Sequence, residues 1–109
     1  RAALRRGVPI AMGTDAGTPF NYHGDNAQEL ERMVALGMTP MEAIMTSTSA
    51  AARLLGLIQD IGSIAAGKQA DLLVVEGNPL RNIGVLLKRE RIAGVMQRGR
   101  FVAGPLSGA

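Results

Sequence analysis

A short apolar run near the start of the chain most limits what this chain can fold into. Residues 8–12 read Val-Pro-Ile-Ala-Met, with no polar residue at alternate positions, and Gly13-Thr14-Asp15 follows directly. Strands that are buried on both faces, as in parallel sheets, have continuous apolar runs of this kind. Such a strand needs parallel neighbours, which the 109 residues do not contain. We therefore expect one strand of a larger sheet, in a chain that is a piece of a longer protein and begins at Arg1.

The composition excludes several classes of protein. The absence of cysteine excludes a disulfide framework, thiolate metal ligands and cysteine nucleophiles. Twelve basic and nine acidic residues give a net charge of +3, which is too small to predict nucleic-acid binding. No apolar run approaches the roughly 20 residues that span a bilayer. We expect a soluble protein with neither nucleic acid nor membrane as a partner, and the cytoplasm is its favoured compartment.

Start and stop signals predict helices in the first half. Residues 1–6 are typical of the last turns of a helix, because arginines cluster at their end and Gly7 can adopt the left-handed cap. Asn26, with Glu29 three positions later, predicts the N-cap of a second helix over residues 26–36.

A third helix has a stronger start signal. Thr39 is the N-cap candidate, Pro40 suits the first helical position, and Glu42 completes a capping box. The apolar pattern continues to Gly56, so a single helix is predicted up to that residue. The polar run of residues 46–49 falls inside it and, with no base nearby in the sequence, indicates helix packing or solvation rather than nucleophiles.

After residue 56 the pattern changes to strands and turns. Short aliphatic runs such as residues 72–75 alternate with glycines. Residues 92–97 and 100–102 flank Arg98-Gly99, which predicts a two-residue hairpin loop, although arginine is not the usual partner of glycine there.

Asp15 is the first candidate for chemistry. It lies between the predicted strand and a loop of about ten residues, and in barrels the loops after the strands converge on the reaction centre. A carboxylate there can ligate a metal or exchange a proton with an activated water. The alternative is that Asp15 only accepts hydrogen bonds from loop amides, and the residues by themselves leave both interpretations open.

His23 is the only histidine, so a histidine-rich metal cage cannot be built from this chain. With Asp15 and Asp25 it could supply three ligands, but their common place in one loop argues against that arrangement. A surface group or a substrate contact is the favoured interpretation of a lone histidine in a loop.

Five groups of residues follow one another in a characteristic order. They are Val8-Pro-Ile-Ala-Met-Gly-Thr-Asp15-Ala-Gly-Thr, Glu29-Leu with Met33-Val, Gly37-Met-Thr-Pro-Met-Glu-Ala-Ile44, Thr48 with Ala51-Ala-Arg-Leu-Leu-Gly56, and Ile61-Gly-Ser-Ile64 with Gly67-Lys-Gln-Ala-Asp71-Leu. Together they resemble the C-terminal portion of the metal-dependent amidohydrolase superfamily, over nearly the whole chain. The Ala-Gly-Thr-Pro extension, followed by His23, is most similar to the branch of Xaa-Pro dipeptidases and imidazolonepropionase-like enzymes.

The resemblance implies an α/β fold, in which residues 1–56 end a TIM-like (β/α)8 barrel and residues 57–109 supply strands of a small β-sandwich. The first part would hold the eighth barrel strand, the helix after it and the exit helix. One or two divalent metals, usually zinc, would be bound mostly by residues outside this segment. Asp15 matches the strand-eight aspartate, which ligates or lies beside the metal and shuttles a proton. His23 matches a loop histidine that contacts substrate.

The implied function is hydrolysis of a carbon–nitrogen bond by metal-activated water, with a dipeptide-like or cyclic-amide substrate. The other metal ligands of the family would lie upstream, so the expected partner is the remaining N-terminal part of the same enzyme, and this segment alone should be inactive. A homo-oligomer remains open. The alternative class is a structural or assembly module of a barrel that has lost catalysis. An independent α/β binding module is disfavoured because the opening helix is truncated.

Overall fold

A buried apolar cluster organises the helical half of the molecule. The computed structural model describes residues 1–15 and 26–108, and its helices are α1 (Ala2–Arg5), α2 (Gln28–Ala35), α3 (Pro40–Ser47) and α4 (Ser49–Leu54). The buried cluster consists of Leu30, Met38, Ala43 and Ile83. The half-buried residues that pack against it are Leu4, Ile10, Met12, Met33, Val34, Ile44 and Leu86.

The start of α3 forms the capping box that the sequence predicts. The Glu42 N–H donates to Thr39 Oγ1 over 3.1 Å, and the Thr39 N–H donates to Glu42 Oε1 over 3.2 Å. Two of the donors that a helix leaves unpaired at its N-terminus are thereby satisfied. This arrangement confirms the predicted start of the third helix.

The predicted cap of α2 is wrong. The N-cap of this helix is Ala27 and makes no side-chain capping bond. Asn26 contributes its backbone carbonyl, which accepts the Glu29 N–H over 3.1 Å. The Glu29 carboxylate pairs with Arg32 at 2.8 Å instead of reaching back to Asn26. A local ion pair on the helix surface thus replaces the expected reciprocal cap.

The single helix predicted up to Gly56 is interrupted at Thr48. At this residue the backbone angles are φ −121° and ψ −95°, outside the helical range, and they separate α3 from α4. The hydroxyls of Ser47 and Thr48 both donate to the Ile44 carbonyl over 3.0 Å. Serine and threonine that hydrogen-bond back to the preceding turn bend or interrupt helices, so the polar run of residues 46–49 explains the break.

The second half contains a three-stranded antiparallel sheet of order β1-β2-β3, where β1 is Leu72–Val75, β2 is Ile92–Gln97 and β3 is Arg100–Ala103. Leu73 pairs with Val95, and Met96 pairs with Phe101. Short 3₁₀ turns over Ile83–Leu87, Arg89–Arg91 and Pro105–Ser107 flank the strands.

The predicted hairpin of β2 and β3 is confirmed. Arg98 and Gly99 have φ angles of 51° and 81°, and positive values at both central residues define the type I′ turn that suits the twist of two strands. The turn is held from outside the hairpin, because the Arg98 N–H donates to Asp71 Oδ1 and the Gly99 N–H to the Ala70 carbonyl, both over 2.9 Å. Gln69 donates to the other carboxylate oxygen of Asp71 over 2.6 Å. Asp71 therefore fixes an arginine in a conformation that arginine rarely adopts.

The strand predicted for residues 8–12 does not form in this structure. No strand ladder involves residues 1–15 of the described chain. A strand requires a neighbour to receive its hydrogen bonds, and the segment instead packs Ile10 and Met12 against the helical core. The Met12 N–H donates to the Thr46 carbonyl at the end of α3 over 2.8 Å.

The bond between Asp71 and the hairpin turn gives the first testable prediction. We expect Asp71→Ala to lower the free energy of unfolding of the intact protein by about 1–2 kcal/mol, because it removes a charge-assisted hydrogen bond at a solvent-screened site. Asp71→Asn keeps Oδ1 as the acceptor for the Arg98 N–H and should cost clearly less. Urea unfolding measures both, and equal losses for the two variants would contradict this role of Asp71.

Two glycines with positive φ angles give a matched comparison. Gly62 and Gly67 have φ angles of +97° and +87°. A Cβ added at Gly62 would lie 2.6 Å from Ala52 Cβ and 3.1 Å from the Thr48 carbonyl oxygen, whereas one at Gly67 would meet nothing within 4 Å. Alanine at either position carries left-handed strain of about 1–2 kcal/mol.

We expect Gly62→Ala to cost about 1–3 kcal/mol more than Gly67→Ala, because the added methyl group overpacks α4. Urea unfolding measures the free energy of unfolding of both variants. The backbone strain is common to them, so the difference between the two values gives the cost of the contact with α4. If the variants were equally stable, the close approach of Gly62 to α4 would be wrong.

Candidate functional site

Asp15 ends the described N-terminal segment, and it is exposed. Its φ angle of 51° lies in the left-handed region, which is uncommon for residues other than glycine and more accessible to aspartate than to most side chains. Non-glycine residues in this region cluster at active sites and ligand clamps, where surrounding structure imposes the conformation. The backbone geometry therefore marks Asp15 independently of its place in the sequence.

Two kinds of contact hold the segment that leads to Asp15. Ile10 and Met12 pack on the cluster formed by α2, α3 and the turn at Ile83. Three residues before Asp15, the Met12 N–H donates to the Thr46 carbonyl over 2.8 Å. Thr46 is 3% exposed, so this anchor lies in the interior while the carboxylate that follows it reaches solvent.

Thr46 itself is fixed by its own side chain. Its hydroxyl donates to the Ala43 carbonyl and lies 3.3 Å from Met33 Sδ. Met33 belongs to α2, so the hydroxyl joins the two helices at the point where the N-terminal segment is attached. The sequence motif gives no direct signal of this role, although the Thr-Ser-Thr run indicates hydroxyls that bond to the preceding helical turn.

His23, the predicted substrate contact, lies outside the described residues, as does Asp25.

The residues that the structure describes contain no complete metal site. Within residues 1–15 and 26–108, no three His, Cys, Asp or Glu side chains are close enough to hold a metal ion together. The exposed Asp15 has the donor chemistry for one position, since carboxylate oxygens ligate Zn²⁺ and other divalent ions. It fits a metal site as a single ligand, whose companions must come from other residues.

Asp15 is not among the lining residues of two grooves in the part of the chain that the structure describes. A groove of about 950 Å³ runs between the helices and the sheet, with Met12, Leu30 and Thr48 on its helical side and Leu73 and Val95 on the other. Its wall is mainly apolar.

A second groove, of about 740 Å³, lies beside the hairpin turn. Asp60, Lys68, Asp71 and Arg98 are among its lining residues. Because Asp71 already binds the turn, this groove is part of the structural support of the hairpin. Neither groove supplies a reaction centre around Asp15.

No helix among the residues that the structure describes is long and apolar enough to cross a bilayer.

Comparison with known proteins gives the family. The sequence profile of the amidohydrolase family matches residues 1–102. An imidazolonepropionase from Shouchella clausii is 34% identical over 104 residues, which are 94% of this chain and 23% of that protein. An ochratoxinase from Aspergillus niger is 35% identical over 107 residues, which are 96% of this chain and 22% of that protein.

A solved structure agrees with these sequence matches. The crystal structure of a Xaa-Pro dipeptidase with methionine bound in its active site superposes with a TM-score of 0.86 and 42% identity, over 94% of this chain and 24% of that one. This chain spans about a quarter of the length of the relatives it matches. The predicted resemblance is confirmed, and the chain belongs to the amidohydrolase family.

Proposed function

We propose that the intact protein is a metal-dependent amidohydrolase that hydrolyses a carbon–nitrogen bond, and that Asp15 is its catalytic carboxylate. The observation that carries the proposal is the geometry of Asp15, an exposed carboxylate in a left-handed conformation at the end of a segment anchored in the interior. The relatives support the reaction class, since imidazolonepropionase, ochratoxinase and Xaa-Pro dipeptidase are the names of similar proteins.

Asp15 performs two tasks in the proposed reaction. One carboxylate oxygen would ligate a divalent ion, expected to be zinc, or lie beside it. Such an ion, when bound, polarises a carbonyl and makes water a better acid. The carboxylate takes a proton from the attacking water and returns it to the departing nitrogen. A group that exchanges protons in this way has to meet both water and substrate, which agrees with the exposure of Asp15.

The proposed architecture assigns residues 1–56 to the end of a (β/α)8 barrel and residues 57–109 to a β-sandwich. Residues 8–15 would then become the eighth strand when parallel neighbours pair with them. The sheet supports the assignment of residues 57–109 to a β-sandwich. Leu73 and Val74 follow each other in β1 and therefore face opposite sides of the sheet. They are 50% and 39% exposed. A sheet that is apolar on both sides is suited to burial between further layers.

The proposed substrates are small molecules with an amide or peptide-like bond, either dipeptide-like or cyclic. His23 is proposed as a substrate contact, and the upstream part of the protein is proposed to supply the remaining metal ligands. The names of the relatives cover both kinds of substrate without selecting one. A homo-oligomer is compatible with this proposal.

Replacement of Asp15 tests the proposal directly. In the intact protein loaded with zinc, we expect Asp15→Asn to lower kcat for a reactive Xaa-Pro dipeptide by at least about 10²-fold, the usual contribution of a general base. The unfolding midpoint in urea should remain within the range of the wild type, because Asp15 is exposed. Retention of kcat within about tenfold would contradict the catalytic role of Asp15, whereas no turnover by the wild-type protein itself would favour the alternative of an assembly module.

The segment alone gives a separate prediction. We expect residues 1–109 in isolation, with added zinc, to release no amino acid from Xaa-Pro dipeptides, because the described residues bring no three metal-ligating side chains together, whereas catalytic zinc sites have three protein ligands. The intact protein under the same conditions is the control. Comparable turnover by the isolated segment would overturn the assignment of the remaining ligands to the upstream part.

A further inference from the structure

The interruption between α3 and α4 rearranges hydrogen bonds at one particular turn. In a continuous helix the Ile44 carbonyl would accept the Thr48 N–H, four residues later. Here the Thr48 N–H donates to the Met45 carbonyl over 3.3 Å, and the Thr48 hydroxyl donates to Ile44 over 3.0 Å. The side chain of Thr48 has therefore taken the place of its own backbone N–H.

This exchange makes a second carbonyl available. Thr46 lies in the last turn of α3, where carbonyls have no partner within the helix. In a helix that continued through Thr48, the Thr46 carbonyl would accept the N–H of Ala50. In the structure it accepts the Met12 N–H over 2.8 Å. The N-terminal segment is thus anchored at a carbonyl of the turn in which α3 ends.

The distance along the chain from this anchor to Asp15 is short. Asp15 follows Met12 by three residues, so the chain between them spans at most about 11 Å. The Met12 bond is therefore a backbone restraint from α3 that acts close to Asp15 along the chain. Loss of this bond would remove a backbone restraint three residues before the carboxylate.

We propose that Thr48 is a positioning residue for Asp15. Its hydroxyl stabilises the helix break, the break leaves the Thr46 carbonyl available, and that carbonyl holds Met12, three residues before Asp15. The proposal rests on the catalytic role of Asp15 proposed above. Thr48 itself touches neither substrate nor the reacting atoms; it acts through the backbone of a different segment.

Removal and restoration of the hydroxyl test this chain of contacts. Thr48→Ala deletes the hydroxyl and introduces a stronger helix former, which favours a continuous helix in which the Thr46 carbonyl turns to Ala50. Thr48→Ser retains the hydroxyl. Ser47→Ala is the matched control, because the Ser47 hydroxyl donates to the same Ile44 carbonyl over 3.0 Å but belongs to α3, before the break.

The intact, zinc-loaded protein is measured in two ways. Hydrogen exchange of the peptide that covers residues 8–15 measures the protection of the Met12 N–H. Steady-state hydrolysis of a Xaa-Pro dipeptide measures the catalytic contribution of Asp15. For Thr48→Ala we expect about tenfold faster exchange in this peptide and about a tenfold lower kcat, with KM within twofold and an unfolding midpoint equal to or above that of the wild type. Thr48→Ser and Ser47→Ala should stay within twofold of the wild type in both measurements.

Several outcomes would overturn the proposal. Thr48→Ala with unchanged exchange would mean that the break does not depend on the hydroxyl. Faster exchange with unchanged kcat would mean that the Met12 bond does not contribute to catalysis. A drop in kcat accompanied by a lower unfolding midpoint, and not rescued by Thr48→Ser, would indicate a merely structural role.

Failure of the proposed function is recognised separately. Asp15→Asn with wild-type kcat would remove the catalytic role of Asp15, whereas the exchange measurement would still decide whether Thr48 controls the Met12 anchor.

Discussion

The hydrogen bond from the Met12 N–H to the Thr46 carbonyl attaches the segment that ends in Asp15 to the interior of the helical half. It joins a segment without a strand ladder to the end of α3, and its acceptor belongs to a residue that is 3% exposed. Water competes poorly for a hydrogen bond in the interior, where an unpaired carbonyl is also costly. The side chain of Asp15 is exposed, but the backbone three residues before it is held by a hydrogen bond to a buried residue.

The apolar residues are divided between a small core and an exposed surface. The buried hydrophobic residues among those described are Leu30, Met38, Ala43, Ala52 and Ile83. Larger side chains remain open, such as Leu54 at 75% and Ile64 at 88% exposure. Burial of apolar surface stabilises proteins by about 25 cal/mol per Å², so any partner layer that covered these side chains would add substantially to the stability of the fold. The proposed sandwich and barrel would provide such layers.

Local signals in the sequence predicted the local structure well. The capping box of Thr39 and Glu42 and the hairpin turn at Arg98-Gly99 both depend on residues a few positions apart, and both are present. Gly7 has the positive φ of 71° that its place after α1 predicts. These features are determined by short-range sterics and by hydrogen bonds within one turn, which a sequence displays directly.

Features that depend on residues far apart in the chain could not be predicted from the sequence. Asp71 belongs to the motif Gly67-Lys-Gln-Ala-Asp71-Leu, but the motif does not predict its bond to Arg98, which lies 27 positions later in the chain. The strand expected for residues 8–12 needs neighbours for its hydrogen bonds, so its formation could not follow from its own apolar pattern. The Thr48 break had a local cause in the Thr-Ser-Thr hydroxyls, but the apolar periodicity outweighed it in the prediction of one helix. For the site, the pattern identified Asp15 as a candidate, whereas its anchor at Thr46 appears only in three dimensions.

The same break also receives the second half of the chain. Gly62 approaches so closely that a Cβ there would lie 3.1 Å from the Thr48 carbonyl oxygen and 2.6 Å from Ala52. That carbonyl accepts the Ala52 N–H over 2.9 Å and so begins α4. The turn that leads toward the sheet thus packs on one side of Thr48, while the carbonyl that holds Met12 lies two residues before it. Because interiors are closely packed and deform little, a displacement of the turn at Gly62 would be transmitted to the helix break and from there to the segment of Asp15. The turn before the sheet and the segment of Asp15 thus pack on the same helix break, at Thr48 and Thr46 respectively.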